Sequence, residues 1–519
     1  MSAFPNPVDQ VPLKLNEIQG NILAGFNKDH QRFLFLQIAD TAKAKQWLQG
    51  MVSEVSTTAQ VKQFNDAFRA ARKAQGGKEG GNVPTITWLN IAFNYPGLKR
   101  LGASMYSFPD DFKQGMAARS AIIGDVGRND PIQWDPWLQD RDSLHIMVLI
   151  AADLPADLDA ALVKFKATLP GSGVKLIHIE EGEAPKDGSG NEHFGFKDGI
   201  SQPGIKGFTL SSNPPIPKTG HQGVPGQDLL WPGEFVLGYP TQVAARPVDF
   251  DGPNPTSGPI SKNGPDWTVD GSYLVFRKLQ QDVAGMRNSI RSNAQAAGVS
   301  PEVLGAKIVG RFRSGCPMEH TKDQGPTIDS NDGDPSAADQ SFLHAEKINR
   351  FEYGADLAGT YVPRSSHIRK AYPRDEQLLD AFGNEDQIQT TLHESDTQTH
   401  RILRRGIPFG EILPFPEGKG LDGEFTDDQV CRGLLFLAYQ KSITQQFEFI
   451  QETWINQQNF PNAGDGVDPV MSQVPQAPLQ CPFKGTSAPA TLQLKHFVTT
   501  NGGEYFFQPS LSALKMLAG

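Results

Sequence analysis

The chain has 519 residues, a formal net charge of −10 and a pI near 5.6. This acidic balance argues against a nucleic-acid partner, because binding to phosphates needs a basic face. The three cysteines, Cys316, Cys431 and Cys481, are too few and too far apart for a disulfide framework or a zinc motif. There is no run of 18 apolar residues and no conventional signal peptide, so we expect no membrane span. An intracellular protein, or a secreted one whose leader is missing, fits these features.

The first half of the chain alternates strand and helix patterns. Apolar runs predict strands, and apolar stripes at helical spacing predict helices. The predicted strands cover residues 32–38, 85–93, 143–151 and 174–181, and the predicted helices cover 42–55, 109–123 and 156–169. This order matches the split βαβ plan, in which four antiparallel strands carry helices on one face. We therefore predict an N-terminal ferredoxin-like domain over residues 1–210.

The second half restarts after a stretch rich in proline and glycine at residues 211–264, which predicts a long linker or flap. The predicted strands cover 271–279, 403–409 and 433–440, and the predicted helices cover 282–297, 301–309 and 443–455, with Ser442 as the N-cap of the last. The same plan could recur here, with an insertion before the last strands, although no sequence repeat proves it. We predict a second domain over residues 211–519.

One carboxylate, Asp198, stands between two glycines at the junction of these halves. Gly195 and Gly199 permit backbone conformations that other residues avoid, and they leave room for a ligand beside the carboxylate. A plain glycine turn is the alternative, because Asp-Gly is a common turn dipeptide, and spacing alone favours it.

One histidine, His367, is followed closely by Arg369 and Arg374. A neutral imidazole is a good ligand for iron, and guanidinium groups beside it suit a cofactor with two carboxylates, as haem has. A basic surface segment with an incidental histidine is the alternative. A second basic cluster, at residues 400–406, could supply a cation that stabilises negative charge during O–O cleavage.

At these residues the chain resembles the dye-decolorizing peroxidases, a family of haem peroxidases, in their longer fungal form. The resemblance rests on five blocks in family order, at residues 15–23, 195–199, 310–317, 366–374 and 404–406. It implies an α+β fold of two ferredoxin-like units with antiparallel sheets, of the dimeric α+β barrel type, with haem held mainly by the C-terminal unit. It also implies one haem b per chain.

The resemblance further implies roles for individual residues. His367 would ligate the iron, Asp198 would be the distal acid–base residue and Arg404 the distal arginine. Arg369 and Arg374 would hold the propionates, and Leu434 and Phe436 would line the distal face. Two features leave alternatives open. Arg401 and Arg405 are neighbours of Arg404 beyond an insertion at residues 375–399, and His344, His393 and His400 are competing ligands without the same arginine flanks.

The activity implied is oxidation of dyes, phenols or other bulky aromatic compounds by hydrogen peroxide, in one-electron steps. Trp454 matches a position used for surface electron transfer in fungal relatives, with helix packing as the alternative, and Tyr439 is a second candidate. Mn²⁺ is a further possible reductant, the family implies an extracellular location, and the oligomeric state stays open. The rival function is a haem-binding protein that handles haem or its iron without peroxidase turnover.

Overall fold

The structure is a computed structural model. It describes residues 12–74, 83–187, 189–210, 227–244, 257–324, 334–337, 339–344, 347–379, 388–474, 478–483 and 489–519. Residues 211–226 and 245–256 of the predicted linker lie outside the described residues. Among those described, no helix is both long and apolar enough to cross a membrane.

The first half forms the predicted split βαβ unit. Its strands are β1 (His30–Ile38), β2 (Thr87–Phe93), β3 (Ile146–Ala152) and β4 (Val174–Glu183). They lie side by side in the order β2-β3-β1-β4, and every pairing is antiparallel. β3 is buried along its whole length, which explains its continuous apolar run.

The second half repeats the plan, as the sequence allowed. Its strands are β5 (Ser272–Gln281), β6 (Leu403–Arg404), β7 (Ile407–Phe409), β8 (Gly433–Gln440) and β9 (Val498–Gln508). They follow the order β6-β8-β5-β9, with β7 also paired to β8. The predicted strand at 403–409 is therefore two short strands separated by Arg405 and Gly406, and β9 was not predicted.

The two units share one nine-stranded sheet. β9 of the second unit pairs with β2 of the first, through Phe507 and Phe93. The outer edges also approach each other, because a Cβ atom on Gly182 of β4 would lie 2.3 Å from Ile407 Cγ2 of β7. The sheet therefore curls towards a barrel, and the α+β barrel class predicted from the sequence is confirmed. The domain boundary at residue 210 stays a prediction.

Helices cover the sheet and carry the loops between strands. The α-helices are Gly20–Leu23, Thr41–Met51, Thr58–Ala74, Tyr95–Arg100, Asp110–Gln114, Ser120–Ile123, Pro136–Gln139, Pro155–Lys166, Val283–Ala297, Pro301–Val309, His367–Ala371, Glu394–Thr397 and Leu511–Ala518. π-Helical turns span Ile443–Glu448 and Ile450–Ile455, where a helix was predicted, and the side chain of Ser442 caps them by accepting from Gln445 N–H. Short two-stranded ladders pair Gly204–Ile205 with Leu229–Leu230, Gln377–Leu379 with Ile388–Thr391, and Leu479–Cys481 with Ala490–Leu492.

One predicted helix, at residues 109–123, is wrong as a single element. It is broken at Gly115, where the backbone has φ +77° and the helix Asp110–Gln114 ends. A side chain on Gly115 would meet Arg141 Nε at 2.2 Å, so this position requires glycine. The 17-residue helix Thr58–Ala74 was missed, although Val61, Phe64 and Phe68 recur at helical spacing and Val61 and Phe64 pack in the core.

The N-terminal block at residues 15–23 has a structural function in this fold. The side chain of Gln19 is fully buried, and its Nε2 donates to the carbonyl oxygens of Ile91 and Pro509. Its Oε1 accepts from Ile91 N–H at 2.9 Å. One amide thus ties the N-terminal segment to strand β2 and to the C-terminal end of β9.

We predict that Gln19→Leu lowers the free energy of unfolding by about 2–4 kcal/mol, because it leaves buried donors and acceptors without partners. Gln49→Leu is the matched control, since Gln49 is exposed on the helix Thr41–Met51. Thermal unfolding followed by circular dichroism measures both variants. Equal midpoints for the two would contradict the prediction.

Candidate active site

A cavity lies between the two units, and residues from both line it. From the first unit it receives the glycine loop that contains Asp198. From the second it receives the end of the helix Pro301–Val309, the helix His367–Ala371, strand β8 and the π-helical segment. Its lining is largely apolar and includes Leu279, Val309, Ile368, Leu434, Phe436, Ile450, Val470 and Met471.

His367 begins a short helix at the wall of this cavity. Its Nδ1 lies 2.7 Å from Asp468 Oδ2, and Asp468 is fully buried. Asp468 is itself fixed, because its Oδ1 accepts the backbone N–H groups of Val470 and Met471. Since a carboxylate only accepts, Nδ1 carries the proton, and in the neutral imidazole Nε2 is the acceptor nitrogen. Among the described residues nothing hydrogen-bonds to Nε2.

The pKa of His367 reflects the same contact. Burial acts to lower this pKa, but the Asp468 carboxylate outweighs burial, and the net shift is upward. A carboxylate behind an imidazole fixes its tautomer and makes it a stronger electron donor. Asp468 was not predicted, because it lies 101 residues from His367 and no motif marks it.

Asp198 and Arg404 form an ion pair at the cavity. Arg404 Nη1 donates to Asp198 Oδ1 at 2.6 Å. The Asp198 side chain is 41% exposed to the cavity, and Asp198 Oδ2 accepts no hydrogen bond from the described residues. Burial acts to raise the pKa of Asp198, but the charge of Arg404 and the N–H of Gly199 together outweigh burial. The net shift of the pKa is downward, so the carboxyl is ionised.

The glycine loop takes its shape from its two glycines and from Glu192. Gly195 has φ +104° and Gly199 φ +76°, both in the region that favours glycine. The absence of a side chain has a different consequence at each of these two glycines. A Cβ on Gly195 would lie 2.5 Å from Phe415 Cζ, whereas one on Gly199 meets nothing within 4 Å and faces the cavity. Glu192 accepts the N–H groups of Phe194 and Phe196, so its carboxylate fixes the turn that leads to Asp198.

The two arginines that follow His367 differ in their surroundings. Arg369 is fully buried outside the cavity lining, where its Nε and Nη2 donate to both oxygens of Glu376, at 2.5 and 2.7 Å. Its Nη1 also lies 3.3 Å from Asp356 Oδ2. Arg374 lines the cavity, and its buried Nη1 has no hydrogen-bond partner among the described residues. Of the two, only Arg374 has a donor left for a ligand in the cavity.

Strand β8 places Leu434 and Phe436 on the cavity, because alternate residues of a strand share a face. Trp454 also lines the cavity. Tyr439 lies outside the lining, with its hydroxyl bound to Asn21 and Gln508. The predicted surface position is wrong for both, since Trp454 is 3% exposed and Tyr439 is fully buried.

This lining fits haem on three observations. The walls are mostly apolar, as a porphyrin face requires. His367 offers an imidazole nitrogen without a partner, and Arg374 offers an unpaired cationic donor suited to a propionate.

Comparisons with known proteins agree with this fit. The DyP dimeric alpha+beta barrel domain matches residues 17–184, and the C-terminal domain of Dyp-type peroxidases matches residues 307–465. Dye-decolorizing peroxidase msp1 from Mycetinis scorodonius is 32% identical over 97% of this chain and 87% of its own. The crystal structure of a DyP-type peroxidase from Auricularia auricula-judae superposes with a TM-score of 0.73 at 28% identity, covering 98% of this chain and all of its own.

A dye-decolorizing peroxidase in complex with 2,6-dimethoxyphenol gives a TM-score of 0.72 at 28% identity, over 98% of this chain and all of its own. Two domain matches lie in family order, and the relatives span nearly the full length of the chain. The chain therefore belongs to the dye-decolorizing peroxidases and is a haem-dependent enzyme that acts on hydrogen peroxide.

Proposed function

We propose that His367 ligates the haem iron, that Asp198 and Arg404 act on hydrogen peroxide, and that Arg374 holds a propionate. The observation that carries the proposal is that one cavity brings together an imidazole backed by a carboxylate and a carboxylate–arginine pair. Haem, when bound, supplies the iron at which the O–O bond of hydrogen peroxide is cleaved. A protein that only carries haem has no use for such a pair, so the pair favours turnover.

Asp198 is suited to move the peroxide proton. Its lowered pKa keeps it ionised at neutral pH, and Oδ2 is available to take a proton from one peroxide oxygen and return it to the other. Arg404 already donates to Oδ1, and its guanidinium supplies a fixed positive charge for the oxygen that becomes negative. Gly199 leaves open space beside both groups, where peroxide can lie.

The reductants proposed are dyes and phenols, the substrates that the relatives' names indicate. We also propose an extracellular location, as in fungal members of the family. Mn²⁺ stands as a second candidate reductant. Within the described residues no group of three or more His, Cys, Asp or Glu could hold a metal ion.

We predict that Asp198→Asn slows the reaction of the holoenzyme with hydrogen peroxide by about 10²–10⁴-fold, because the amide cannot accept the proton. Arg404→Leu is expected to slow it by about 10²–10³-fold through loss of charge stabilisation. Stopped-flow absorption at the Soret band measures both rates, and the same band shows that haem is retained. His367→Ala, by contrast, is expected to lose or weaken haem binding.

Asp187→Asn is the control for these variants, since Asp187 is an exposed carboxylate on the turn before the glycine loop. It should react with peroxide as the wild type does. If Asp198→Asn also reacts at the wild-type rate, the assignment of the proton shuttle is wrong.

We predict that Asp468→Asn weakens haem binding by about 10–100-fold and raises the Fe(III)/Fe(II) reduction potential, because the imidazole loses the carboxylate that makes it electron-rich. Haem titration and spectroelectrochemistry measure the two effects. Asp465→Asn is the control, because Asp465 lies on the same loop but pairs with Arg364. An unchanged reduction potential in Asp468→Asn would show that Asp468 does not make the imidazole of His367 electron-rich.

We predict that Trp454→Phe lowers turnover of bulky dyes while the rate of reaction with peroxide is kept. Trp454 lies edge-on to His400, with ring centroids 5.3 Å apart, so its indole adjoins both the cavity and a partly exposed side chain. Trp134→Phe is the control, since Trp134 is equally buried but does not line the cavity. Unchanged dye turnover in Trp454→Phe would rule out the role.

A further inference from the structure

Tyr505 lies in strand β9, behind the wall of the cavity. Its ring centroid is 6.3 Å from that of Phe447, and Phe447 lines the cavity. Tyr505 is fully buried, so no dissolved reductant can touch it. Its hydroxyl donates to Glu448 Oε1 at 2.9 Å. An oxidisable phenol and a carboxylate therefore form a hydrogen-bonded pair one side chain away from the cavity.

We propose that Tyr505 is an internal one-electron donor to the haem and that Glu448 is the base that takes its proton. The inference rests on the proposed function, because it needs haem in the cavity and its oxidation by hydrogen peroxide. The role would be to hold an oxidising equivalent inside the protein when no external reductant is present.

The step balances with the groups that are present. Tyr505 gives one electron to the peroxide-oxidised haem, and its phenolic proton moves to Glu448, which leaves a neutral phenoxyl radical. An electron from an external reductant and the return of the proton from Glu448 then restore the phenol. Loss of the electron alone would leave a cation in an apolar interior, which is costly, so a base within hydrogen-bond distance is required.

Hydrogen bonds fix the Glu448 carboxylate in position. Arg119 donates to both of its oxygens, from Nε to Oε1 at 2.5 Å and from Nη2 to Oε2 at 2.6 Å. The Arg119 side chain is 12% exposed, so the pair connects the buried phenol to the protein surface. Burial, with Glu448 adding to it, raises the pKa of Tyr505 well above its usual value, so the phenol keeps its proton until it is oxidised.

Three other buried tyrosines, Tyr439, Tyr353 and Tyr372, lack this combination. The hydroxyl of Tyr439 is bound by two amides, from Asn21 and Gln508, and neither is a base. The hydroxyl of Tyr353 has no hydrogen-bond partner among the described residues.

Tyr372 lines the cavity and does contact carboxylates. The guanidinium of Arg401, however, lies 3.8 Å from its ring centroid. A cation over an aromatic ring opposes the removal of an electron from that ring. Among the described residues, no such cation lies over Tyr505.

The test compares Tyr505→Phe with Tyr439→Phe in the haem-loaded enzyme. Each is mixed with hydrogen peroxide without a reductant, frozen rapidly and measured by electron paramagnetic resonance, with ring-deuterated tyrosine to separate tyrosyl from tryptophanyl signals. We expect a tyrosyl signal in the wild type and in Tyr439→Phe, and its loss in Tyr505→Phe. Haem is also expected to bleach faster under excess peroxide in Tyr505→Phe.

Glu448→Gln tests the base with the phenol left in place, and we expect it to lose the signal as well. If this variant does not fold, the two tyrosine variants still decide the question. A tyrosyl signal that survives in Tyr505→Phe, or one that is lost equally in Tyr439→Phe, overturns the inference. Normal reaction with peroxide without any tyrosyl signal overturns this inference alone, whereas failure to bind haem or to react with peroxide overturns the proposed function.

Discussion

The ion pair between Asp198 and Arg404 is the contact on which the proposed active site depends. It joins a loop of the first unit to a strand of the second, across 206 residues of sequence. An ion pair exposed to solvent contributes only about 0–1 kcal/mol, so this pair cannot hold the two units together. The shared sheet must hold them together. Because the fold does not depend on the ion pair, both side chains can take part in the proposed reaction.

Each partner of the pair has its own backbone support. On the Asp198 side, Glu192 fixes the turn of the glycine loop. On the Arg404 side, Gln202 makes two hydrogen bonds to the backbone N–H and C=O of Arg404. Both supports come from residues 192–202, so this stretch positions both members of the pair that we propose to act on hydrogen peroxide.

Arg405 extends that support to the N-terminus. It donates to the carbonyl oxygens of Asn21, Ile22 and Leu23, at the end of the helix Gly20–Leu23. These carbonyls have few intrahelical partners in so short a helix, and a cation suits this end. The N-terminal block that the sequence shares with the family is therefore connected to the strand that carries Arg404. Arg405 therefore has a structural role, next to the residue that we propose as the distal arginine.

Much of the fold could be predicted because apolar pattern and local caps determine it. The helix Pro301–Val309 and the strand Gly433–Gln440 have the predicted bounds, and Ser442 caps the segment that was assigned to it. The predictions failed where position depends on distant contacts. A single break at Gly115 is invisible in a helical apolar stripe, and β9 is defined by its partners β5 and β2.

The arginines at the site were hard to tell apart for a similar reason. The sequence shows that a residue is basic, but it does not show which carboxylates surround that residue in the fold. In the sequence, Arg369 and Arg374 are both arginines that closely follow His367, and nothing distinguishes them. A buried guanidinium that already faces two carboxylates, as Arg369 does, gains little from a third anion and would leave those carboxylates unpaired if it turned away. Arg374 has an unpaired donor on the cavity, so a propionate there would remove a desolvation cost instead of adding one. Proximity to His367 therefore favoured both, whereas the unpaired donor of Arg374 supports it as the propionate partner that we propose, and the carboxylates around Arg369 give that residue a structural role.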